Sequence, residues 1–322
     1  MKVYFRKSAL AGCLTLLLNA AGYADTVPAI TPFNVWIQGN FTPNGAETNG
    51  GLAVGGTATL SSYDIAGSLL VENLTSFPSN TTFVAVNLSG ETALEKGNYF
   101  IGNTGYTFYN HGSGTADSSD PVNFSSQAAQ FAALSQSLGK LGTTGSDACT
   151  NSYGTVTCTD NVPNTLNVIN VTAGALGNGL NITGVSATSP LLINVSGASA
   201  TMEPWGITVD GSGSNGDSTT PNAGYVLFNF YNATSVVLGS GLVGSVLAPT
   251  AAVTTNASGQ LDGQLIAKSF SASNGALEFH NFTYDGSLPS GSVPEPGEYG
   301  MVGIGLSAIV WLTGRRAGIT HR

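Results

Sequence analysis

Positively charged residues are scarce in this sequence. The 322-residue chain has nine Lys and Arg against 18 Asp and Glu, and a formal net charge of −9. Three of the cations lie in the first seven residues and three in the last eight, so only Lys96, Lys140 and Lys268 remain between them. Nucleic-acid binding needs a basic patch that displaces phosphate counterions, and anionic membrane surfaces attract basic segments. The composition therefore argues against both kinds of partner.

The N-terminus has the layout of a secretory signal peptide. A basic segment is followed by an apolar stretch from Ala9 to Ala21 and by the small-x-small sequence Gly22-Tyr23-Ala24. This order predicts cleavage before Asp25. A membrane anchor is the alternative, but a spanning helix needs about 20 apolar residues and this stretch is shorter. We therefore expect residues 1–24 to be a signal peptide and the mature chain to be secreted.

Cysteine is also rare, and only Cys149 and Cys158 lie outside the predicted signal peptide. In a secreted chain, an isolated Cys-x8-Cys pair indicates a local disulfide. Closing so short a loop contributes about 2–3 kcal/mol in the chain-entropy model. A metal site is the alternative, but no histidine is nearby in sequence. The pattern favours the disulfide.

Histidine is equally rare, and no catalytic motif surrounds it. His111 falls in a predicted loop, and alternation along a strand puts His280 on the same side as Glu278. No Gly-x-Ser-x-Gly elbow occurs between a predicted strand and a helix. The segment that begins at Asp210 resembles a calcium loop, but it lacks the Gly and Glu that an EF-hand needs at positions six and twelve. We therefore predict no catalytic residue, no metal ligand, no cofactor and no enzymatic activity.

The central part of the chain has the composition of a protein built from many short β-strands. The chain is 42% hydrophobic, which argues against disorder. Short β-branched and aromatic runs recur between Gly, Asn or Ser residues. Runs in quick succession between Val236 and Ile266, almost without loops, favour a β-solenoid over a sandwich or a barrel, although no strict repeat is visible. The clearest predicted strands are Thr82–Val86, Leu166–Val171, Leu191–Val195 and Tyr225–Phe230.

One segment has the period of a helix. Apolar residues recur at steps of three or four between Phe124 and Leu141, which predicts an amphipathic helix. Asp120-Pro121 or Ser125 is the predicted start, and Gly139 or Gly142 the predicted end. We expect its apolar stripe to pack along the β-structure. The predicted fold class is therefore all-β, a β-solenoid with one amphipathic α-helix packed alongside.

The C-terminus carries a three-part motif. It consists of Val293-Pro294-Glu295-Pro296, an apolar run from Tyr299 to Leu312, and Arg315-Arg316. The order and spacing resemble the PEP-CTERM sorting signal of Gram-negative bacteria, which implies removal by an exosortase-type membrane enzyme. The run of roughly 14 residues is short for a stable span of about 20, and the arginines would hold its end on the cytoplasmic side. We therefore expect residues 291–322 to be a sorting segment that anchors the chain in the membrane only transiently.

Six further segments carry a second resemblance. They are residues 33–41 (FNVWIQGNF), 50–56 (GGLAVGG), 229–234 (NFYNAT), 244–249 (GSVLAP), 262–269 (DGQLIAKS) and 278–281 (EFHN). Together they resemble the choice-of-anchor A family, whose extracellular domain precedes different anchors, a PEP-CTERM tail among them. The resemblance implies an adhesive, ice-binding-like β-solenoid with a helix along one side, and it brings no catalytic residues. Residues 25–290 are therefore predicted to be one such domain, to which the Cys149–Cys158 segment is an addition.

The sequence favours a non-catalytic adhesin-like protein of the cell surface or extracellular matrix. Asn, Thr and Ser side chains on successive strands would bind glycan or exopolysaccharide through many hydrogen bonds of about 0.5–1.5 kcal/mol each. Ice binding is the alternative, and it needs a regular threonine ladder, of which Thr57-Ala58-Thr59 and Thr155-Val156-Thr157 are only fragments. A secreted glycan hydrolase comes third, because its two carboxylates are paired in space and not in sequence. A purely structural role in the matrix is not separated from adhesion.

Overall fold

The computed structural model describes residues 30–66, 76–112, 114–144, 147–152, 155–159, 162–202, 206–214, 220 and 222–289. The predicted signal peptide and the predicted sorting segment, with Val293, Pro294, Glu295, Pro296, Arg315 and Arg316, lie outside these residues. In the part that is described, no helix is long and apolar enough to cross a membrane.

The described chain is mostly β-structure with one α-helix, α1, at Phe124–Leu138. Short 3-10 helices occur at Pro78–Asn80, Ala173–Asn178 and Ala223–Tyr225. The strands are β1 Phe33–Ile37, β2 Phe41–Thr42, β3 Glu47–Thr48, β4 Gly51–Ile65, β5 Thr81–Leu94, β6 Asn98–Ile101, β7 Thr107–His111, β8 Ala148–Ser152, β9 Thr155–Thr159, β10 Asn167–Thr172, β11 Leu180–Thr183, β12 Leu191–Ser196, β13 Ser199–Met202, β14 Ile207–Val209, β15 Val226–Asn229, β16 Ser235–Leu238, β17 Leu242–Val243, β18 Ser245–Thr255, β19 Gly259–Asp262, β20 Leu265–Ala272 and β21 Leu277–His280.

The predicted strands and helix are confirmed, but the helix starts neither at Asp120-Pro121 nor at Ser125, because the side chain of Asn123 is the one that caps it. The four clearest predicted strands are β5, β10, β12 and β15, and the predicted helix is α1. Asn123 caps the N-terminus of α1 by accepting a hydrogen bond from the backbone N–H of Ser126 over 3.0 Å, and the helix ends at Gly139. Local period and local breakers therefore determined these elements.

Seventeen strands form one large sheet, and its registers divide it into three parallel ladders. The helix-side ladder runs β10, β12, β15, β18, β20, β1, β4, β5, β6. The hydroxyl ladder, named for its outer side chains, runs β13, β16, β18, β20, β2, β4, β5. The acidic ladder runs β17, β19, β21, β3, β4, β5, β7. A second sheet has the order β14, β11, β9, β8 and is antiparallel only between β8 and β9.

The long strands β4 and β5 contribute successive segments to all three ladders. Their register shifts twice, between Val54 and Thr57 and between Leu60 and Tyr63. At the first shift Gly55 lies against the backbone of Gln38, and a side chain there would collide with the Gln38 carbonyl oxygen. Close backbone approach therefore requires glycine at the point where β4 passes from one ladder to the next.

The order of the strands in space departs from their order in the chain. The N-terminal strand β1 lies between β20 and β4, because Val35 pairs with Leu265 on one side and with Leu52 on the other. The first and last parts of the domain are therefore hydrogen-bonded to each other in the middle of the sheet.

An aromatic cluster connects the inner sides of the hydroxyl and acidic ladders. The rings of Phe41 and Phe270 stack with centroids 5.4 Å apart, and Phe270 meets Phe279 edge-on at 5.3 Å. Phe41 also contacts Tyr63 edge-on at 5.7 Å. All four side chains are buried, so the two ladders share one hydrophobic core.

Helix α1 packs against the outer side of the helix-side ladder. At β1, the indole N–H of Trp36 donates to Gln127 over 2.8 Å, and its ring meets Phe131 edge-on at 4.8 Å. At β12, the side-chain amide of Asn194 donates to the carbonyl oxygen of Leu138 over 2.8 Å. From Gln127 to Leu138 the helix rises about 16 Å, close to the roughly 19 Å between β1 and β12. The helix therefore runs across the strands and connects distant rungs.

Candidate binding surface

The outer side of the hydroxyl ladder carries two columns of small, mostly polar side chains. On each rung two outer residues flank a buried apolar one, and the outer residues are polar except for Ala252 and Val237. All of the outer residues are exposed or half-buried. In rung order, the first column is Ser199, Ser235, Ala252, Ser269, Asn40, Thr57 and Asn87, and the second is Thr201, Val237, Thr254, Ser271, Thr42, Thr59 and Ser89.

A buried column lies between the two outer columns and fixes the rungs. Its side chains face the core, and all of them are at most 5% exposed. Each buried residue pairs in register with the buried residue of the next rung, and this pairing holds the outer side chains at repeated positions. The buried column is Ala200, Val236, Val253, Phe270, Phe41, Ala58 and Leu88.

The geometry of a parallel sheet gives these columns regular spacing. Neighbouring strands lie about 4.8 Å apart, and residues two positions apart along a strand are about 6.6 Å apart. Seven rungs therefore extend over about 29 Å. None of the fourteen outer positions described for this ladder holds a charged residue, although the chain as a whole is acidic. The surface offers many hydrogen-bonding groups without an electrostatic field of its own.

The acidic ladder has a different outer surface. Gln260, Glu278, Glu47 and Asp64 lie side by side on successive rungs and are half-buried. Burial raises the pKa of the neighbouring Tyr63 phenol, whose oxygen lies 2.6 Å from the Thr48 hydroxyl, and the two glutamates raise it further. A column of carboxylates repels anionic polymers.

Helix α1 covers much of the outer side of the remaining ladder, the helix-side ladder. Among the three ladders that the structure describes, the hydroxyl ladder is thus the one whose outer surface is uncharged and uncovered on all seven of its rungs. It is the candidate binding surface.

The two histidines among the described residues, His111 and His280, occupy very different places. His280 is buried, its Nδ1 lies 2.5 Å from Asp262 Oδ1, and its Nε2 lies 3.6 Å from Glu278 Oε2. The expected position of His280 and Glu278 on one side of a strand is confirmed. Thr220 donates to the other carboxylate oxygen of Asp262 and lies over this pair. The cluster therefore links β19 and β21 inside the fold.

The loop predicted around His111 is wrong. His111 is the last residue of β7, where it pairs with Leu94, and its ring is exposed. The glycines after His111 indicated a loop. The apolar residues of β5 pair with this segment instead, and the sheet gains one more strand, β7.

The segment that begins at Asp210 and resembles a calcium loop starts as an exposed turn at Asp210 and Gly211, and its residues 215–219 lie outside the described residues. The two carboxylate oxygens of Asp210 accept hydrogen bonds from the backbone N–H of Gly184 at 2.6 Å and from the side chain of Asn222 at 3.0 Å. Within the described residues, no three His, Cys, Asp or Glu side chains are grouped to hold a metal ion.

Cys149 and Cys158 are directly paired in the antiparallel β8–β9 register. Opposed residues in such a pair have Cα atoms about 4.5–5.5 Å apart, which overlaps the range of about 4.4–6.8 Å seen in disulfides. The backbone is therefore compatible with the disulfide, which stays a prediction.

Sequence reasoning identified only fragments of the candidate surface. Thr57-Ala58-Thr59 belongs to the hydroxyl ladder, whereas Thr155-Val156-Thr157 belongs to β9 in the smaller sheet. The signal that was available is the repeated polar–apolar–polar triplet, as in Ser199-Ala200-Thr201 and Ser269-Phe270-Ser271. Its rungs follow one another at unequal steps along the chain, so a search for a strict repeat misses them.

Comparisons with known proteins identify the family of the chain. None of the curated proteins matches it. Among solved structures, it is similar to a crystal structure of an ice binding protein from an Antarctic biological consortium, with 13% identity, a TM-score of 0.37, and coverage of 79% of this chain and 91% of that one. A family model described as "Putative Ice-binding-like adhesive domain" matches residues 27–281. The chain therefore belongs to this ice-binding-like adhesive domain family.

Proposed function

We propose that this protein is a non-catalytic adhesin-like protein that binds a neutral glycan or exopolysaccharide through the hydroxyl ladder. The observation that carries the proposal is the exposed, uncharged double column on seven rungs. We also infer that the three ladders are the three sides of one β-solenoid, since β4 and β5 contribute to each of them in turn.

The chemistry of the surface matches a hydroxyl-rich polymer. Serine and threonine hydroxyls both donate and accept hydrogen bonds, as sugar hydroxyls do. Each bond contributes about 0.5–1.5 kcal/mol net, so affinity would come from many rungs at once. Multivalent display on a cell would raise avidity further. An anionic polymer is disfavoured because the chain is strongly acidic.

Ice is the second candidate ligand, favoured by the regular spacing of the same columns. Threonine occupies four of the seven positions of the second column, at Thr201, Thr254, Thr42 and Thr59. A repeated array of threonine methyl and hydroxyl groups is suited to holding ordered water. The family description also joins adhesion to an ice-binding likeness.

The site of action follows from the predicted ends of the chain. We propose secretion through the inner membrane of a Gram-negative bacterium, handling of residues 291–322 by an exosortase-type enzyme, and a final location at the cell surface or in the extracellular matrix. The three-part C-terminal motif and the signal-peptide layout support this route.

Binding of the purified full-length chain to neutral exopolysaccharide tests the proposal. The double variant Thr59→Glu/Ser271→Glu puts two charges on exposed rungs of the second column, and we expect it to weaken binding by at least about tenfold. Ala129→Glu, on the exposed side of α1, is the matched control and should bind as the wild type does. Equal binding by the double variant would disprove the role of the hydroxyl ladder.

Two further readouts separate the alternatives in the same experiment. Loss of ice adsorption in the double variant, with no polysaccharide binding by the wild type, would select ice as the ligand. Shortening of the polymer during incubation would instead identify a hydrolase, because an adhesin leaves the chain length unchanged.

A further inference from the structure

A small polar pocket lies where the helix-side ladder continues past the end of α1. Its volume is about 300 Å³. Its floor consists of two in-register pairs of side chains from β10 and β12, Asn170 with Asn194 and Thr172 with Ser196. Tyr231, which follows β15, lines one side. We refer to this site as the polar pocket.

Hydrogen bonds hold the floor of the polar pocket in place. The side-chain N–H groups of Asn194 donate to the carbonyl oxygen of Leu138 at 2.8 Å and to Asn170 Oδ1 at 3.1 Å. Asn170 in turn donates to the carbonyl oxygen of Leu141 at 3.1 Å, and Ser196 donates to that of Val171 at 3.1 Å. A ligand would therefore meet groups whose positions are already fixed, which lowers the entropic cost of binding.

The ring of Tyr231 is held beside this floor by glycine. A Cβ atom at Gly139 would come within 2.9 Å of Tyr231 Cβ, so the ring needs the space that glycine leaves at the end of α1. Gln136 also donates to the carbonyl oxygen of Tyr231. The tyrosine thus presents a half-buried aromatic surface next to hydroxyl and amide groups.

This combination of groups is suited to a sugar. The C–H side of a sugar ring packs on an aromatic ring, while its hydroxyls exchange hydrogen bonds with Ser, Thr and Asn side chains. The residues that line the pocket are uncharged, which disfavours a sugar acid or a phosphate. A volume near the lower end of the range of about 300–1,000 Å³ for ligand pockets suits one ring and not a longer segment.

We propose that the polar pocket binds a single neutral pyranose residue. It is separate from the hydroxyl ladder, so this inference does not rest on the function proposed for that surface. The exposed Thr172 hydroxyl donates to and accepts from the sugar hydroxyls, and Tyr231 stacks on the ring. Ser196 Oγ and Asn170 Oδ1 accept from the sugar, because the Ser196 hydroxyl donates to Val171 and the Asn170 amide donates to Leu141 and Thr143.

Saturation-transfer NMR and calorimetry with the full-length chain test this site. The probes are the methyl pyranosides of glucose, galactose, mannose and N-acetylglucosamine at millimolar concentrations. We expect at least one to bind, and Tyr231→Ala to weaken it by about tenfold or more, whereas Tyr231→Phe keeps the ring and stays within about threefold of the wild type.

A second pair of variants guards against misfolding of Tyr231→Ala. Thr172 lines the pocket and is exposed, so Thr172→Trp should fill the pocket without disturbing the core, and Thr172→Ser should still bind. Binding by none of the four probes, or unchanged binding by Thr172→Trp, would overturn the proposal. The variant Thr59→Glu/Ser271→Glu should bind the probes normally, so failure at one surface is distinguished from failure at the other.

Discussion

Ser135 of α1 and Asn229 of β15, 94 residues apart, form a reciprocal hydrogen-bonded pair. The Ser135 hydroxyl donates to Asn229 Oδ1 over 2.5 Å, and Asn229 Nδ2 donates to the carbonyl oxygen of Ser135 over 2.9 Å. Both residues are buried. Asn229 also donates to Asn194 Oδ1 over 2.8 Å, so asparagines on neighbouring rungs and the last turns of α1 form one network. This network fixes the helix in register with the sheet.

Removal of Asn229 should destabilise the fold more than removal of an exposed asparagine. Asn229→Ala leaves the buried Ser135 hydroxyl without this acceptor, and we expect a loss of about 1–3 kcal/mol in the free energy of unfolding, measured with denaturant. Asn87→Ala, on the exposed surface of the hydroxyl ladder, is the matched control and should cost less than about 0.5 kcal/mol. Equal costs would show that the network contributes little to stability.

The protein should lose stability in alkali because of its buried tyrosines. Burial raises the pKa of Tyr63 and of Tyr284 above the ordinary tyrosine value. As the pH rises, the unfolded chain therefore releases these protons before the folded chain does. The stabilisation that the two tyrosines give the folded state is complete below about pH 10 and declines as the pH rises further. The decline is at most about 1.4 kcal/mol per pH unit for each tyrosine.

Denaturant titrations on both sides of pH 10 measure this effect. Tyr63→Phe removes one ionisable group, so its stability should fall less steeply with pH than that of the wild type, even though it loses the contact with Thr48. Identical slopes for the two proteins would rule out Tyr63 as a source of the alkaline instability.

The mature protein should contain a disulfide between Cys149 and Cys158, which are opposed in β8 and β9. We expect the mass of the intact secreted chain to be lower by two hydrogens than that of the reduced chain. Reduction should lower the free energy of unfolding by about 2–3 kcal/mol. The Cys149→Ala/Cys158→Ala variant is the control, since reducing agent should leave it unchanged. Detection of free thiols in the secreted chain would contradict the pairing.

Deletion of the C-terminal segment should change the destination of the protein but not its fold. A chain that ends at Gly291 keeps every strand from β1 to β21, so we expect the same thermal unfolding midpoint and normal export. It should be released to the medium, whereas the full-length chain reaches the cell surface or matrix. Arrival of the shortened chain at the same final location, measured by cell fractionation, would show that residues 292–322 do not direct sorting.

Local features of the sequence predicted the local structure well. The steps of three and four from Phe124 onward, with glycine at the end, determine α1, and β-branched runs such as Leu191–Val195 determine strands. These signals act within one element. They do not depend on which strand lies next to which.

The candidate surfaces depend on pairing between distant segments and were largely missed. Thr59 and Ser271 lie near each other only because Phe41 pairs with both Ala58 and Phe270. Asparagine between apolar residues, as in Ile193-Asn194-Val195, reads in the sequence as one more strand residue. A buried amide needs hydrogen-bond partners, so this pattern was the available sign of a contact outside the strand.

The position of β1 between β20 and β4 also sets the time at which the fold is completed. Gln264 donates to the carbonyl oxygen of Phe33, 231 residues earlier in the chain. When the chain appears with its N-terminus first, one edge of β1 therefore stays unpaired until nearly the whole domain has followed. Such distant pairing makes folding slow, and open strand edges favour aggregation during the delay. Late closure would also keep a chain unfolded during export, so the same topology that delays folding would suit the passage through a membrane that we propose.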